Sequence, residues 1–535
     1  MSKAPVYARN LMATWVGHFA NLAVMFFLSP FIVHHLGNSA YGAWSLLQGL
    51  TGYLGLAEIG VRVSTGRYIC YYLGRNEPEK VHVVVNTSLA FHTALSILIF
   101  GASAVVGFHF GQIFPKVPYG LAVEAKWVLL LLGLNIWLGL FSSTFRQLLQ
   151  VADRFDLDNF ATLVVLVLRT VGTLWVLALG RGLVALAWVS VGTGIIGCII
   201  LLVMVQWKGV AARYGLRLVQ WGMLKELLSF GLWAFVGNLG VRIISYTDAA
   251  VIGMFLGVEQ ITMYSIGFMI VDAAKELVSY MGRVIAPDML KIGGGGDLSG
   301  LMWLVVKGSR FVTLISMPLF LGLAMFGGEF IALWQGPGYS SAGIITSIIS
   351  VGILCTVGTF HLCNVLIALG EVKMLTVFSS LEAAANLGLS IALLATTHLG
   401  IVAVALGFFI PMMLVTGVLQ PIYVCRRTKF PVASYVRLAV VRWVIGAFIF
   451  LIPCLLAYAF FPCKTWISFG LKVLALGILY LPIGYWVLLG PTERRQLLGL
   501  LRIGSLLRAP QPVRATPSEG AGEAVSAAAT TGEEE

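Results

Sequence analysis

Four basic side chains lie deep inside long apolar stretches of the chain: Arg169, Arg242, Lys275 and Lys472. A cation in such surroundings is costly unless an anion or water meets it. Arginine can grip a phosphate group with its planar fork, and lysine can meet it as a point charge. We therefore predict that Arg242, Lys275 and Arg169 face a cavity and bind an anionic group there. Lys472 lies nearest the end of its stretch, and we expect its ammonium group to reach the polar boundary.

The same stretches hold acidic side chains that are candidates to bind a coupling proton or Na⁺. They are Glu58, Asp248, Asp272 and Glu382. Alternatively, several of these charged side chains form ion pairs or hydrogen bonds that only stabilise the fold. Asp272 stands three residues before Lys275, a spacing that allows an ion pair on one helix face, and Glu58 can form a salt bridge at a helix end. Arg242 can pair with a carbonyl group or with an acid on a neighbouring helix.

Histidines and cysteines add no further chemistry to this set. The histidines within apolar stretches, His18, His92 and His361, are more typical of hydrogen bonds between helices than of a proton relay. The seven cysteines are scattered and form no CxxC pair. We therefore predict no disulfide framework, no metal site and no bound cofactor.

Membrane-spanning helices must position these charges. Of the 535 residues, 59% are hydrophobic and 11% are charged, whereas soluble domains carry roughly 25% charged residues. Apolar runs of about 20 residues match the length that a helix needs to cross the hydrocarbon core. The sequence thus predicts an all-α polytopic membrane protein with about fourteen spans. They lie near 10–35, 40–61, 84–110, 126–145, 159–180, 182–206, 227–255, 260–281, 308–334, 342–368, 374–396, 399–424, 438–461 and 466–489.

The distribution of basic residues predicts the orientation. With the N-terminus in the cytoplasm, segments on the inner side hold 27 Lys and Arg residues and segments on the outer side hold four. Such a bias is typical of cytoplasmic loops, so we predict an even number of spans and both termini in the cytoplasm. It also accounts for the net charge of +12 without a nucleic-acid partner, for which the chain has no motif.

An internal repeat divides the chain. Shifting the sequence by 220 residues aligns Leu36-Gly37 with Leu256-Gly257 and Trp44-Ser45-Leu46 with Tyr264-Ser265-Ile266. Duplicated halves are common in transporters, so we predict two related six-helix lobes. The predicted organisation is a first lobe over 1–226, a second lobe over 227–425, two additional helices over 426–490, an amphipathic surface segment over 491–508 and a disordered cytoplasmic tail over 509–535.

Four short motifs occur in order near the ends of predicted spans. They are Leu36-Gly37-Asn38-Ser39-Ala40-Tyr41-Gly42, Gly55-Leu56-Ala57-Glu58-Ile59-Gly60, Thr247-Asp248-Ala249-Ala250-Val251-Ile252-Gly253 followed by Leu256-Gly257, and Leu366-Ile367-Ala368-Leu369-Gly370. Together they resemble the bacterial polysaccharide-export and oligosaccharide-flippase family, over about residues 8–490. That family belongs to the superfamily that also holds multidrug extruders and the lipid II flippase. Glu58 departs from the family pattern, in which Asp is commoner.

The resemblance implies a flippase of the bacterial inner membrane. Its two lobes would form a V around a central cavity and would work by alternating access. The implied cargo is an oligosaccharide on a polyprenyl diphosphate, and polysaccharide polymerase or export machinery is an implied partner, besides membrane lipids. No chemical bond would be made or broken.

Three other functions remain as alternatives. A cation-coupled multidrug extruder of the same superfamily would favour an acidic cavity, and Arg242 and Lys275 argue against it. An enzyme such as a glycan polymerase would carry a large outer loop with catalytic groups, but the longest predicted outer link, near 111–125, holds the charges Lys116 and Glu124 alone. A non-transporting component of an export assembly is not excluded by the sequence.

Overall fold

The chain is helical throughout the part that its computed structural model describes, which comprises residues 4–55, 58–207, 213–491 and 493–494. It forms one compact unit up to Leu488 and a second from Leu489 onward. Nearly all of the predicted surface segment 491–508 and the whole predicted tail 509–535 lie outside the described residues. The side chains of Glu58 and Arg242 also lie outside the described part of the chain.

The α-helices of the first lobe and of the later segments follow one another with short links. In the predicted first lobe they are α1 (Ala4–Leu36), α2 (Asn38–Leu54), α3 (Glu58–Gly74), α4 (Pro78–Phe108), α5 (Phe110–Ile113), α6 (Tyr119–Val151), α7 (Phe155–Ala178) and α8 (Leu183–Trp207). After it come α9 (Trp221–Phe255), α10 (Val258–Gly294), α11 (Leu298–Trp334), α12 (Gly343–Thr356), α13 (Leu362–Ala368), α14 (Val372–Thr396), α15 (Ile401–Leu414), α16 (Gln420–Arg427), α17 (Val432–Tyr435), α18 (Val441–Phe460) and α19 (Trp466–Ile483).

The predicted fold class is confirmed, since eleven stretches of the described chain are long and apolar enough to cross a membrane. Each of the fourteen predicted spans falls on helix, but the count of fourteen is not confirmed. The second, seventh and eighth predicted spans, on α2, α9 and α10, are not among the eleven. α2 has 17 residues, and α3 continues the helical path for another 17.

Two predicted links are shorter than expected. Helix continues through most of the predicted link 62–83, because α3 extends to Gly74. In the predicted link 282–307, α10 extends to Gly294 and α11 begins at Leu298. The end of an apolar run marks the boundary of the membrane hydrocarbon. A helix makes its own backbone hydrogen bonds, so it can continue beyond that boundary.

Glycines make the same tight turn at two positions that the 220-residue shift relates. Gly37 joins α1 to α2 with a φ of 76°, and Gly257 joins α9 to α10 with a φ of 103°. Residues with a Cβ rarely adopt this left-handed region, whereas glycine enters it without steric cost. The Leu-Gly pairs in the sequence therefore mark the turns from the first to the second helix of each half.

The helices that follow these turns, α2 and α10, pack against each other through related residues. The hydroxyl groups of Ser45 and Ser265 lie 2.8 Å apart. Ser39 Oγ donates a hydrogen bond of 2.7 Å to Glu259 Oε1. In both pairs the partners are separated by 220 residues, the offset of the sequence repeat. Contacts between a residue and its own counterpart are those expected on a local two-fold axis, and they support two related lobes.

A second pair of contacts obeys the same symmetry. Thr262 Oγ1 donates to the carbonyl oxygen of Asn38 at 2.6 Å. After the 220-residue shift, Gly42 corresponds to Thr262 and Val258 corresponds to Asn38. A Cβ on Gly42 would come within 1.8 Å of the Val258 carbonyl oxygen. Glycine is therefore required at position 42 for the two backbones to approach this closely.

We expect Gly42→Ala to push α2 and α10 apart and to lower the free energy of unfolding by about 1–3 kcal/mol, the usual cost of overpacking. Denaturation of the purified protein in mixed detergent micelles measures it. Gly49→Ala on the same helix is the matched control, since a Cβ there would meet the Tyr246 carbonyl oxygen at an ordinary 3.8 Å. Equal stability of the two variants would contradict close backbone packing at Gly42.

The symmetry is broken beside this contact. On one side α9 packs along α2 and α3: the hydroxyl groups of Tyr53 and Thr247 lie 2.5 Å apart, and Ser64 Oγ donates to the Leu227 carbonyl oxygen at 2.8 Å. After the 220-residue shift, Tyr53 corresponds to Ala273 of α10 and Thr247 corresponds to Phe27 of α1. Phe27 is 75% exposed, so the corresponding contact is not formed.

Helix α1 packs mainly along α7, and near its end it also contacts the end of α11. The indole nitrogen of Trp334 donates to the Phe26 carbonyl oxygen at 2.7 Å, and Gln335 donates to Ser29 Oγ at 2.9 Å. These contacts lie near the end of α1 that leads into α2. Over the described residues, α1 packs far less against α10 than α9 packs against α2 and α3.

Candidate functional site

The structure brings Lys275 of α10 towards Glu382 of α14. Lys275 is half-buried, and its positive charge acts on the Glu382 carboxylate. Thr416, in a π-helical turn between α15 and α16, donates a hydrogen bond of 2.7 Å to Glu382 Oε2. Asp272 is exposed on α10. The charge of Lys275 therefore reaches Glu382 on α14, and no ion pair of Lys275 with Asp272 forms among the described residues.

Asp248 lies in a buried polar cluster between α9, α10 and α14. It is 4% exposed, and the hydroxyl group of Tyr264 donates a hydrogen bond to its Oδ2. Asn386 of α14 faces the same carboxylate. The Asn386 amide and Asp248 Oδ1 have no well-aligned hydrogen bond within the described residues. This cluster combines one carboxylate with neutral oxygen donors, a set that suits a proton or a small monovalent cation.

Arg169 lies apart from both of these clusters. It stands on α7, and its guanidinium group donates to Ser190 Oγ of α8 at 3.4 Å. The side chain lines a cavity of about 270 Å³ between α1, α2, α7 and α8. The three predicted anion-binding residues are therefore not one described cluster: Arg169 and Lys275 lie in different places, and the side chain of Arg242 falls outside the described part.

The expectation that Lys472 reaches the polar boundary is wrong. Lys472 of α19 has a side chain that is only 4% exposed, and its ammonium group lies 2.7 Å from Glu329 Oε2 of α11. The same group lies 4.7 Å from the centre of the Phe326 ring. An acid on a neighbouring helix neutralises this lysine, so it has no need to extend to the membrane surface.

The predicted roles of the histidines can be compared with their contacts. His92 of α4 is fully buried, and its Nδ1 lies 3.3 Å from Thr144 Oγ1 of α6. That contact agrees with a hydrogen bond between helices. His18 of α1 approaches Glu276 of α10 to 3.9 Å, across the side where the two helices are less closely packed. In the described chain, no group of three or more His, Cys, Asp or Glu side chains is arranged to hold a metal ion.

An apolar groove lies between α18 and α19, on the two additional helices. It has a volume of about 630 Å³. Its walls are almost entirely hydrocarbon, with Leu456, Phe460, Leu471 and Leu479 among the lining residues. Such a groove can hold an alkyl or isoprenoid chain but offers few polar partners.

Sequence reasoning missed the partners of the predicted site residues. Tyr264 and Asn386 face Asp248, Thr416 binds Glu382, and Glu329 pairs with Lys472. A polar residue within an apolar span is the signal that could have found them. The sequence does not reveal which of these residues face one another.

The fold and its buried charges define a class: an all-α multi-pass membrane protein. Over 91% of this chain and 99% of the other, the structure superposes on "Lipid II flippase MurJ, inward closed conformation" with a TM-score of 0.67 and 13% sequence identity. At that identity the likeness establishes the fold alone.

Sequence comparison then identifies the family. The model of the family described as "Polysaccharide biosynthesis protein" matches residues 75–343. The chain is 22% identical over 426 residues to "Uncharacterized membrane protein EpsK" of Bacillus subtilis (strain 168), covering 79% of this chain and 83% of that protein. It is 20% identical over 314 residues to "Putative O-antigen transporter" of Shigella flexneri, covering 58% and 72% respectively.

Because the family model spans half of the chain, the protein belongs to the polysaccharide biosynthesis protein family. This result confirms the resemblance drawn from the four motifs. The relatives indicate a membrane transporter or flippase and not an enzyme.

Proposed function

We propose that this protein translocates a polyprenyl-diphosphate-linked oligosaccharide, the precursor of a cell-surface polysaccharide, across the bacterial inner membrane. Transport proceeds by alternating access between two lobes, over 1–226 and 227–425, with both termini in the cytoplasm. Family membership supports a role in polysaccharide biosynthesis. The relatives named a lipid II flippase and a putative O-antigen transporter support a lipid-linked cargo.

The broken symmetry between the lobes carries this proposal. A lipid-linked cargo keeps its chain in the bilayer, so its carrier needs an opening towards lipid. The tight contact of α9 with α2 and α3 has its symmetry-related counterpart at α1 and α10, where Phe27 is exposed. In this proposal that side is the lateral opening, and the contacts among Ser39, Ser45, Glu259 and Ser265 close the end of the lobes near the α1–α2 turn.

Lys275 offers a cation to a diphosphate headgroup at the opening. Lys275 is half-buried on α10 beside the exposed Asp272 and Glu276, and we assign it, with Arg242, to the diphosphate. The Glu382 carboxylate, held by Thr416, is the alternate partner of Lys275 when cargo is absent. When Lys275 exchanges Glu382 for the diphosphate, its ammonium group keeps an anionic partner in a low-dielectric site.

We place the coupling site at Asp248. Its carboxylate is buried where α9, α10 and α14 meet, so a proton or Na⁺ bound there stabilises one packing of these helices over another. The apolar groove between α18 and α19 suits the isoprenoid chain of the cargo by its hydrocarbon lining and volume. Polysaccharide polymerase or export machinery is the partner class that consumes the product.

Deletion of the gene in its host tests the function directly. We expect one lipid-linked oligosaccharide to accumulate on the cytoplasmic face of the inner membrane, measured by its accessibility in vesicles of defined orientation. Wild-type protein should restore the distribution, and Lys275→Ala should fail at matched protein levels. Lys126→Ala is the control, since Lys126 belongs to the predicted outer segment and contacts the Phe108 ring.

Two results would separate the function from its site. Full restoration by Lys275→Ala would reject the assignment of that residue and leave the function standing. An unchanged distribution of every lipid-linked glycan on deletion would reject the flippase proposal, and a change in drug susceptibility would then favour the multidrug extruder.

A further inference from the structure

We propose that the Arg169 cavity, an open cavity of the first lobe, is a separate binding site for a lipid phosphate group. Its lining comes from four helices, with Asn21 on α1, Trp44 on α2, Thr173 on α7 and Ser190 on α8 among the residues. The Asp248 cluster lies on other helices, and the lateral opening between α1 and α10 shares α1 with the cavity. Nothing in the proposed transport function uses this cavity.

One face of α7 is built to line it. Leu166, Arg169, Thr170 and Thr173 all contribute to the wall, and their spacing of three and four residues places them on one side of a helix. Their neighbour Val171 is 58% exposed on the outer surface of the helix. Arg169 is itself exposed, and it stands on the side of α7 that lines the cavity.

The charge of Arg169 is uncompensated in the described chain. No carboxylate lies within 4.0 Å of its guanidinium group, and its hydrogen bond to Ser190 Oγ is long, at 3.4 Å. A guanidinium group has five N–H donors, so most of its hydrogen-bonding capacity is available to a ligand. Arginine is rarely kept within a membrane span unless it meets a partner or lines a polar cavity.

Other polar atoms around the cavity are suited to an anion. Ser190 and Thr170 direct their own hydroxyl hydrogens to backbone carbonyl groups, those of Leu186 and Leu166, so the guanidinium group is the main donor. The Asn21 amide, exposed on α1, adds a neutral donor at the opposite wall. No acidic side chain is among the lining residues, which disfavours a cation.

Size and depth narrow the ligand class. Pockets for drug-sized molecules occupy roughly 300–1,000 Å³, so a volume of about 270 Å³ suits a charged headgroup and not an oligosaccharide. Arg169 lies nine residues before the end of α7 at Ala178, about 14 Å along a helix that rises roughly 1.5 Å per residue. Apolar lining residues such as Met25 and Leu28 continue the wall, as an attached lipid chain would need.

The shared ligand chemistry is a phosphate on a lipid, and it has two possible sources. One is the diphosphate of the cargo after it leaves Lys275, and this assignment rests on the proposed function. The other is the headgroup of an ordinary anionic phospholipid. The arginine fork binds phosphate oxygens in both, so the lipid that carries them must be found by experiment.

Binding to the purified full-length protein in neutral detergent tests the site without requiring transport. The probes are farnesyl diphosphate, phosphatidylglycerol and, as an uncharged reference, farnesol, and the readout is the thermal midpoint as each probe is titrated. We expect at least one phosphate lipid to raise the midpoint of the wild type. Arg169→Gln should weaken that binding about tenfold to hundredfold, the usual loss for a hydrogen bond to a charged group.

Arg181→Gln is the matched control, because Arg181 is exposed at the link between α7 and α8 and lines no part of the cavity. It should bind both phosphate lipids as the wild type does. In the absence of probe, Arg169→Gln should keep or raise the thermal midpoint, because it removes a charge without removing an ion pair. A purely structural arginine would lower the midpoint instead, so that result would overturn the proposal.

The probes also identify the source of the phosphate. Tighter binding of farnesyl diphosphate than of phosphatidylglycerol would assign the cavity to cargo, and comparable binding would assign it to phospholipid; both support a lipid-phosphate site. Equal binding of every phosphate lipid by wild type and Arg169→Gln would overturn it. A failed sidedness experiment with intact Arg169-dependent binding would reject the transport proposal alone.

Discussion

Lys472→Met is expected to lower the free energy of unfolding by about 3 kcal/mol or more, the typical cost of removing one partner from a buried ion pair. The substitution leaves the Glu329 carboxylate, 19% exposed, without the ammonium group at 2.7 Å. It also removes the cation from the Phe326 ring. Denaturation in mixed detergent micelles measures the loss, and Lys464→Met, at an exposed position before α19, should change stability little.

The double substitution Lys472→Met with Glu329→Leu distinguishes a lost charge pair from lost packing. Replacing both members of a buried pair by apolar groups of similar size is often neutral. We therefore expect the double variant to recover most of the stability. If it is as unstable as Lys472→Met alone, the uncompensated carboxylate is not the cause of the loss.

Asp248→Asn is expected to abolish cation-driven transport while the protein remains folded. The amide keeps the size of the side chain and can still meet Tyr264, but it cannot take up a proton or bind a cation through a negative charge. Uptake of labelled lipid-linked oligosaccharide into proteoliposomes with an imposed proton or Na⁺ gradient measures the effect. We expect the gradient-dependent rate to fall at least a hundredfold.

Asp272→Asn is the matched comparison on α10. Its carboxylate is exposed, and water or headgroups can solvate it in either packing of the helices. We therefore expect it to keep a rate within a few-fold of the wild type. A reversal of the two results would move the coupling site to Asp272, and normal coupling in both variants would leave Glu58 and Glu382 as the candidates.

Composition and apolar runs were enough to predict the all-α membrane fold, because hydrocarbon imposes a length and a polarity on every span. Helix ends were harder. Polar residues continue α3 to Gly74 and α10 to Gly294, and a helix that has left the hydrocarbon has no hydropathy signal. Gly37 and Gly257 were visible in the sequence as repeated turns because their left-handed backbone requires a specific residue type.

The sequence was enough to select the charged residues of the site but not to predict which residues pair with them. Lys472 and Glu329 are 143 residues apart in the chain, and nothing local to Lys472 indicates that an acid of α11 faces it. The sequence grouped Arg169 with Lys275, although α7 directs Arg169 into a cavity of the first lobe. The neighbour that a side chain faces depends on the rotation of its helix about its axis. These spans are apolar on all sides, so the sequence does not define that rotation.

The serine pair at the meeting of α2 and α10 has a consequence for the history of the chain. Ser45 and Ser265 touch each other across 220 residues of sequence, as one residue touches its own copy in a symmetric dimer. A chain of half this length, with a single lobe, would present that patch once and could join a second copy in the same orientation. In a single chain each side can change alone, and the residue that corresponds to Ser39 after the 220-residue shift is Glu259, which accepts its hydrogen bond.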